Sequence, residues 1–276
     1  MTVAKAYSVS LVGLAGTIIE IEAEISSNLP AFVLVGLPDA SLSEARDRVR
    51  AAAHNSGLPL PGRRVTVNLS PASVPKRGSI FDLAISLAIM SADGRVDPES
   101  VTQWIHLGEL GLDGTLRGVN GVLPAVLAAK RAGFRRVIVS AENLNEALLV
   151  GDVEVLGAAS LAQVAKFHGA KVLAGELIRG VRRTSQTIVH TNVGLDLSDI
   201  IGQDQAIDAL TIAAAGGHHL LMVGPPGVGK TMLAERLPSI LPAMTPDESI
   251  ETRAIQSIAG VGGGDNTFGL DRKSVV

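Results

Sequence analysis

The strongest constraint on this chain is a short glycine-rich signature that begins at residue 224. Its spacing is a glycine, four further residues, and then Gly-Lys-Thr. Glycines have no Cβ, so their backbone N–H groups can curl closely around phosphate oxygens. A lysine and a hydroxyl residue directly after them can reach the phosphates and a bound magnesium ion. The signature comprises Gly224, Pro225, Pro226, Gly227, Val228, Gly229, Lys230 and Thr231.

The segments on either side of the signature favour the same interpretation. The apolar run 218–223 predicts a strand, and the pattern MLAERLPSIL predicts a helix that starts near Gly229. The positive end of that helix would point at the phosphates. Lys230 would reach the β and γ phosphates, and the Thr231 hydroxyl would ligate Mg²⁺. We therefore expect ATP and Mg²⁺ as ligands, since a chance Gly/Pro turn ending in Lys-Thr does not explain this context.

Composition excludes several other classes of protein. The 276 residues include no cysteine, which rules out disulfides, thiolate metal sites and cysteine nucleophiles within this sequence. Hydrophobic residues make up 46% and aromatic residues only 3%, so the cores must be aliphatic. The net charge of −3 gives no overall basic field that would indicate nucleic acid. We see neither a signal peptide nor a membrane span, and we expect a cytoplasmic protein with no membrane partner.

Hydrophobic periodicity predicts an α/β organisation with two domains. Strand-like alternation from Tyr7 to Val35 is followed by mixed helix and strand patterns, which we assign to a domain at 1–168. Residues 169–198 lack a sustained period and predict a solvated linker, with a basic nucleic-acid contact as the alternative. Residues 199–276 carry the glycine-rich signature and form the second domain.

Two stretches around the signature resemble a known family of motor proteins. The segment DIIGQDQAIDAL is similar to the box that precedes the phosphate loop in AAA+ ATPases, which would place Ile201, Gly202 and Gln203 beside the adenine. The segment GGHHLLMVGPPGVGKTMLAERLPSILP resembles the magnesium-chelatase-like branch, most closely the ComM/YifB family. Adjacent residues of a strand point to opposite faces, so we give His218 and His219 no metal-ligand role.

The first domain resembles the same family. The segments that carry this resemblance are LPAFVLVGLPDASLSEARDRVRAA, RRVTVNLSPASVPKRGSIFDLAISLAI and LGELGLDGTLRGVNGVLPAVLAAKRAG, and the match extends to about Gly260. It implies an α+β fold for 1–168 like ribosomal protein S5 domain 2 and the Lon protease domain, followed by an incomplete P-loop AAA+ α/β segment. It also implies a hexameric ring of identical subunits that acts on DNA, with ATP-driven branch migration in natural transformation as the family role.

The resemblance to Lon proteases fails at the catalytic positions. Ile80 falls where the nucleophilic serine would stand, and Leu123 falls where the lysine base would stand. Neither side chain can attack or accept a proton, and Ser79 is one residue early. We therefore expect no catalytic residue and no protease activity in this domain, which would instead be a scaffold, a ring-assembly element or a substrate guide. The turn that does match the Lon pattern consists of Pro75, Lys76 and Gly78.

Charged residues in two helical segments leave alternatives open. Arg46 and Arg50 lie one turn apart, so they are expected to share one face of a helix. We expect a solvated face with local pairs to Glu44 and Asp47, while a nucleic-acid or inter-subunit contact is the functional alternative. Asp82 stands in an otherwise apolar segment, which predicts a buried carboxylate that accepts hydrogen bonds.

The sequence after Thr231 departs from the family pattern. An AAA+ motor also needs an acidic strand for Mg²⁺, a sensor and an arginine from a neighbouring subunit, and none of these is visible here. The ending DNTFGLDRKSVV does not match the family and predicts a truncated motor. Two alternatives remain, a non-enzymatic remnant or assembly module, and a magnesium-chelatase-type motor subunit, although the latter normally lacks so long an N-terminal domain.

Overall fold

A mixed sheet of eight strands frames the first part of the chain. The computed structural model describes residues 3–36, 39–179 and 195–260. Within them the chain divides into two units, one formed by 3–179 with 253–260 and the other by 195–252. The combination of sheet and helices confirms the predicted α/β class. No helix of the described residues is long and apolar enough to cross a membrane.

The large sheet has the strand order β10-β9-β8-β5-β1-β2-β4-β3, and β6 pairs with β7 in a separate two-stranded sheet. The pairs β9–β8, β8–β5, β5–β1 and β4–β3 are parallel, whereas β10–β9, β1–β2 and β2–β4 are antiparallel. The strands are β1 (Val3–Val12), β2 (Ala15–Ser26), β3 (Ala31–Val35), β4 (Arg64–Ser70), β5 (Ile105–His106), β6 (Glu109–Leu110), β7 (Leu116–Arg117), β8 (Arg136–Ser140), β9 (Glu154–Ala158) and β10 (Ile178–Arg179).

Helices connect the strands of the first unit and make up most of the second. They are α1 (Ala40–Asn55), α2 (Asp82–Ala92), α3 (Pro98–Thr102), α4 (Val122–Arg131), α5 (Leu144–Ala147), α6 (Leu161–Phe167), α7 (Asp204–Gly216), α8 (Lys230–Arg236) and α9 (Pro246–Ala259). Short 3₁₀ turns lie at Ala141–Asn143, Leu197–Asp199 and Leu237–Ser239.

The core of the first unit lies between the sheet and α2. Ten of the eleven residues of α2 are buried, which matches its apolar sequence on all sides. On β2, the buried Ile19, Ile21 and Ala23 alternate with half-buried glutamates, so one face of the strand enters the core. The helix packs against β1 and β2 through these apolar faces.

Two glycines allow close approach of backbone segments in the first unit. Gly36 follows β3 with φ +108°, and a Cβ there would lie 2.2 Å from the carbonyl oxygen of Leu69 in β4. Gly16 in β2 faces α4, where an added Cβ would lie 2.4 Å from the Cβ of Ala128. Both positions therefore require the smallest residue for the packing that is observed.

The second unit has a small core of its own. Four buried apolar residues form this cluster, Leu197, Ile200, Leu210 and Leu233, which come from the segment 197–200, α7 and α8. Partly buried residues, including Met222 and Ile240, pack around them. This cluster holds the start of α8 against the segment before α7, and so it fixes the surroundings of the glycine-rich loop.

Helix α9 was not predicted from the sequence, although its start carries a clear signal. The N–H of Glu248 donates to the Thr245 hydroxyl at 3.3 Å, and the Glu248 carboxylate accepts from the Thr245 N–H at 2.8 Å. This is a capping box, and Pro246 begins the helix at the position where proline is favoured. The segment TPDE therefore contained the information needed to predict the helix.

Candidate functional site

The glycine-rich loop turns directly into α8. Gly227 and Gly229 have φ values of +87° and +83°, a region of backbone space that favours glycine. Gly229 is the N-cap of the helix, and the N–H of Leu233 donates to its carbonyl at 3.0 Å. The signature glycines therefore stand where the backbone needs them, and the helix starts at the predicted residue.

Lys230 lies across the loop that precedes it. Its Nζ donates to the carbonyl oxygens of Gly224 and Pro225, both at 2.7 Å. The side chain thus brings a positive charge over the concave backbone of the loop, where an anion would be drawn to it. Thr231 follows with an exposed side chain, so its hydroxyl is open to solvent and to an ion.

The three residues that we expect beside adenine lie at the start of α7. The Ile201 side chain is 98% exposed, which is unusual for a large apolar residue. Gly202 and Gln203 both have positive φ values, +81° and +59°. The Gln203 side chain does not point freely into solvent, because its Nε2 donates to the carbonyl oxygen of Val228 at 2.7 Å.

The segment before α7 is tied to the end of α8. The Arg236 Nε donates to the Asp196 carbonyl at 3.1 Å, and the N–H of Leu197 donates to the Ser239 hydroxyl at 3.2 Å. Arg236 is only 12% exposed at its side chain, and it also lies 3.9 Å from the Asp199 carboxylate. These contacts hold the segment that begins at Asp196 close to the loop-bearing helix.

The strand predicted at 218–223 is not formed, and this expectation is wrong for the described residues. Leu221 and Val223 are 87% and 86% exposed, and no strand lies in 195–260. A strand is defined by hydrogen bonds to a neighbour, and this part of the described chain offers none. His218 and His219 are exposed, and no group of three or more potential ligands in the described residues could hold a metal.

The two positions that align with the Lon catalytic pair lie in the apolar core of the first unit. Ile80 is 8% exposed and Leu123 is fully buried. The Ser79 hydroxyl donates to the Glu109 carboxylate. Lys76 is buried, its Nζ donates to the Pro71 carbonyl, and burial lowers its pKa. In the described structure, Ser79 and Lys76 therefore have separate partners.

Asp82 is the buried carboxylate that the sequence predicts, and its partner is Arg48 of α1. The Arg48 Nε donates to one carboxylate oxygen at 2.7 Å, and its Nη2 donates to the other at 3.2 Å. The N–H of Leu110 also donates to Asp82, at 3.3 Å. Burial raises the pKa of Asp82 to about 6, although the guanidinium and the backbone donor act in the opposite direction.

The neighbouring arginine on α1, Arg46, makes a local pair. The Arg46 Nε donates to the Asp47 carboxylate at 3.0 Å, and both side chains are exposed. This contact agrees with the expected solvated pair, but Glu44 lies 3.6 Å from Arg48 rather than pairing with Arg46. The functional alternative for Arg46 and Arg50, a nucleic-acid or inter-subunit contact, stays a prediction.

A buried histidine pair, His106 and His168, was not predicted from the sequence. The Nε2 atoms of His106 and His168 lie 3.1 Å apart, and His168 Nδ1 lies 2.8 Å from the Ser100 hydroxyl. Burial lowers the pKa of His168 to about 4 and lowers that of His106 well below its usual value. These positions lie 62 residues apart, so spacing alone could not reveal the pair.

Two protein-family models match the chain. The model described as subunit ChlI of Mg-chelatase matches residues 21–143, and the model described as magnesium chelatase, subunit ChlI, matches residues 196–271. Together they cover most of the first unit and the whole glycine-rich loop. The second match contains the phosphate-loop signature and the segment that begins at Asp196.

Curated relatives align along nearly the whole chain. A protein of Mycobacterium tuberculosis is 50% identical over 266 residues, 96% of this chain and 52% of the relative. The competence protein ComM of Haemophilus influenzae is 44% identical over 94% of this chain and 50% of its own length. YifB of Escherichia coli is 39% identical over the same shares. The chain thus spans about half the length of the relatives it matches.

Proposed function

We propose, on the premise that the chain belongs to the ComM/YifB family of magnesium-chelatase-like proteins, that its second unit binds a nucleoside triphosphate at 224–231. The observation that carries this proposal is the geometry of the loop. Two glycines with positive φ shape the turn, and the Lys230 ammonium lies over the carbonyls of Gly224 and Pro225. A triphosphate can replace those two carbonyls as the partner of the charge.

The residues around the loop also fit a nucleotide with magnesium. Thr231 offers an exposed hydroxyl next to Lys230, and a hydroxyl oxygen is a ligand that Mg²⁺ accepts together with phosphate oxygens. The magnesium ion would neutralise phosphate charge while Lys230 binds the phosphates directly. The exposed Ile201 supplies an apolar surface for a base, which supports placing adenine at the segment that precedes α7, where Ile201, Gly202 and Gln203 lie.

The wider role that we propose is ATP-driven DNA remodelling, such as branch migration. A competence protein is among the relatives, and the family resemblance implies a ring of identical subunits that encloses or contacts DNA. We place this work in the cytoplasm. For a chain that spans about half of its relatives, the activity of the whole protein is an inference from the family.

For the first unit we propose a scaffold with a fold like ribosomal protein S5 domain 2 and the Lon protease domain. The domain would comprise 1–168, with a linker at 169–198 and an AAA+ segment at 199–276, although β10 (Ile178–Arg179) pairs with β9 and so extends the first unit into the linker range. The apolar, buried side chains at Ile80 and Leu123 support a role without proteolysis. Such a domain can guide a substrate or help assemble a ring.

Calorimetry with the whole chain tests the nucleotide proposal. We expect ATP with Mg²⁺ to bind, and Lys230→Ala to weaken binding about 10–100-fold, because hydrogen bonds to a charged group contribute about 1.5–3 kcal/mol. Lys171→Ala removes an exposed lysine of the first unit and serves as the matched control. Equal affinities of the wild type and Lys230→Ala would reject the loop as the site.

Phosphate release with and without branched DNA tests the motor role. Turnover that rises with branched DNA and disappears in Lys230→Ala would support remodelling by this chain. Binding of ATP with no turnover in either condition would support the assembly-module alternative instead. Incubation with unfolded casein provides the parallel test for proteolysis, where cleavage that is lost in Ser79→Ala would contradict the proposed scaffold role.

A further inference from the structure

Gln203 reaches the phosphate loop rather than the surface where a base would lie. Its backbone is in the left-handed region, with φ +59° and ψ +38°, which few non-glycine residues adopt. From this position its side-chain Nε2 donates to the Val228 carbonyl at 2.7 Å. The same nitrogen lies 3.0 Å from the site where a Cβ on Gly229 would stand, so the amide rests directly against the loop.

The hydrogen bond fixes the direction of one peptide group in the loop. The Val228 carbonyl and the Gly229 N–H belong to the same planar trans peptide, so they point in opposite directions. When Gln203 holds the carbonyl on its own side, the Gly229 N–H is turned away from Gln203. An N–H of the glycine-rich segment that is held in one orientation is a pre-oriented donor for an anion.

The backbone of Gln203 is itself held in place. Its carbonyl accepts from the N–H groups of Ala206 at 2.9 Å and Ile207 at 3.1 Å, and so it caps α7. Seven residues before it, the Asp196 carbonyl accepts a hydrogen bond from Arg236 of α8. Because the Gln203 backbone is held by α7, the side-chain torsions are what must be ordered for its hydrogen bond to form.

We propose that Gln203 is a positioning residue that orients the Val228–Gly229 peptide for phosphate, and that it acts on the phosphates rather than on the base. This inference rests on the proposed nucleotide site and extends it, because it assigns to Gln203 a role in binding the triphosphate chain through the loop. Gln203 therefore contributes to the affinity for a triphosphate even when no nucleoside is attached to it.

Two substitutions separate loop orientation from other effects. Gln203→Ala removes the donor and frees the peptide group, and a lost neutral hydrogen bond of about 1 kcal/mol corresponds to about fivefold weaker binding. Gln203→Glu keeps the size but replaces the donor by a carboxylate that repels the Val228 carbonyl, so a larger loss is expected. Gln205→Ala, an exposed glutamine in the first turn of α7, is the matched control.

The experiment is calorimetry of the full chain with two probes, ATP and inorganic tripolyphosphate, each with Mg²⁺. The proposal requires Gln203→Ala to weaken both probes by the same factor, while Gln205→Ala changes neither. A loss for ATP with unchanged tripolyphosphate binding would show that Gln203 recognises the nucleoside and would overturn the proposal. Unchanged affinity for both probes would overturn it as well.

A measurement without nucleotide keeps this inference distinct from the proposed function. The backbone order parameter of Gly229, measured by NMR relaxation in the ligand-free chain, should fall in Gln203→Ala and stay unchanged in Gln205→Ala. If the wild type binds neither probe and the order parameter of Gly229 still falls in Gln203→Ala, the nucleotide proposal is rejected but the orienting role of Gln203 is confirmed. An unchanged order parameter at Gly229 would refute the orienting role.

Discussion

At the scale of single residues, the contacts that matter most join positions far apart in the chain. Arg48 and Asp82 are 34 residues apart, and His106 and His168 are 62 residues apart. Sequence patterns predicted that Asp82 would be a buried, hydrogen-bonded carboxylate, because it interrupts an apolar segment. They could not identify Arg48 as its partner, since the three arginines of α1 are distinguished only by the packing of that helix on α2.

The Arg48–Asp82 pair should make stability depend on pH in a defined direction. The pKa of Asp82 is raised from its ordinary value of 3.8 to about 6 in the folded chain, so the folded chain holds this proton more tightly than the unfolded chain does. The stability that comes from this difference is fully present below the unfolded pKa and is lost as the pH rises through 6. Arg48→Ala leaves the carboxylate buried without its cation. We expect the free energy of unfolding to fall by about 3–5 kcal/mol at pH 8, and by less at pH 5, where the carboxyl is protonated.

Urea unfolding followed by the fluorescence of Trp104 measures this effect. Trp104 is the only tryptophan of the chain and is 5% exposed in the first unit. Arg46→Ala on the same helix is the control, because the exposed pair with Asp47 should contribute less than about 1 kcal/mol. Equal losses for the two variants at pH 8 would show that Arg48 and Asp82 are not coupled as described.

The histidine pair predicts the opposite dependence on pH. The folded pKa of His168 is about 4, below the unfolded value of about 6.5, so the stability associated with its neutral form is lost as the pH falls from 6.5 towards 4. His168→Gln removes this titration. Between pH 7 and pH 5, the free energy of unfolding of the variant should therefore fall by about 2 kcal/mol less than that of the wild type.

The exposed His54 at the end of α1 provides the control for that comparison. His54→Gln should follow the wild-type pH dependence, measured by the same Trp104 unfolding curves. If His168→Gln also follows it, then His168 is protonated in the folded chain at pH 5 and its surroundings do not disfavour the charged form.

At the scale of elements, local periodicity predicted much of the first unit and less of the second. The alternation at 17–25 corresponds to β2 (Ala15–Ser26), and the apolar segment at 79–92 corresponds to the buried α2. Such patterns succeed because each element buries one face, or all faces, against its neighbours. The prediction of a strand at 218–223 was wrong because a strand needs a hydrogen-bonded partner, which local sequence does not supply.

In the candidate site, too, local sequence predicted some features and not others. The spacing of the signature fixed Lys230 and the start of α8, because both depend on residues that are neighbours in sequence. The contact of Gln203 with Val228 spans 25 residues, so local spacing did not indicate it, while the placement of Gln203 beside adenine stays a prediction of the resemblance. A positive φ at a glutamine is a feature of the folded backbone that no motif of this sequence indicated.

The junction of β3 and β4 gives a prediction at this scale. Gly36→Ala would place a Cβ 2.2 Å from the Leu69 carbonyl oxygen, at a φ of +108° that side chains rarely adopt. We expect the end of β3 to separate from β4 and the free energy of unfolding to fall by about 1–3 kcal/mol or more. The Trp104 unfolding curve in urea measures the loss.

Gly62→Ala is the matched control, because nothing lies within 4 Å of a Cβ at that position and its φ is not in the left-handed region. It should change stability by no more than about 1 kcal/mol, with stabilisation possible through a less flexible unfolded chain. Similar losses for both variants would mean that the close approach of β3 to β4 at Gly36 does not contribute to stability.

At the scale of the whole molecule, the two units have apolar cores of very different size. The first core contains α2 and most strands of the large sheet, whereas the core cluster of the second, within 195–252, consists of four buried apolar residues with five partly buried neighbours. Apolar burial is the main source of folding free energy, so the second unit has much less of it. A ligand that binds only the second unit should therefore change its stability visibly.

Hydrogen exchange read by mass spectrometry measures that change along the chain. With ATP and Mg²⁺ at 100 times the dissociation constant, opening of the nucleotide-binding unit should cost about 2.7 kcal/mol more than without ligand. We expect slower exchange in peptides from 197–240 and unchanged exchange in those from β2 and α2, since the loop and its small core lie in the second unit. Lys230→Ala should abolish the difference, because the ammonium that holds the phosphates is gone. An equal slowing in β2 and α2 would show that the chain opens as a single cooperative unit, and slowing that persists in Lys230→Ala would place the nucleotide away from the loop.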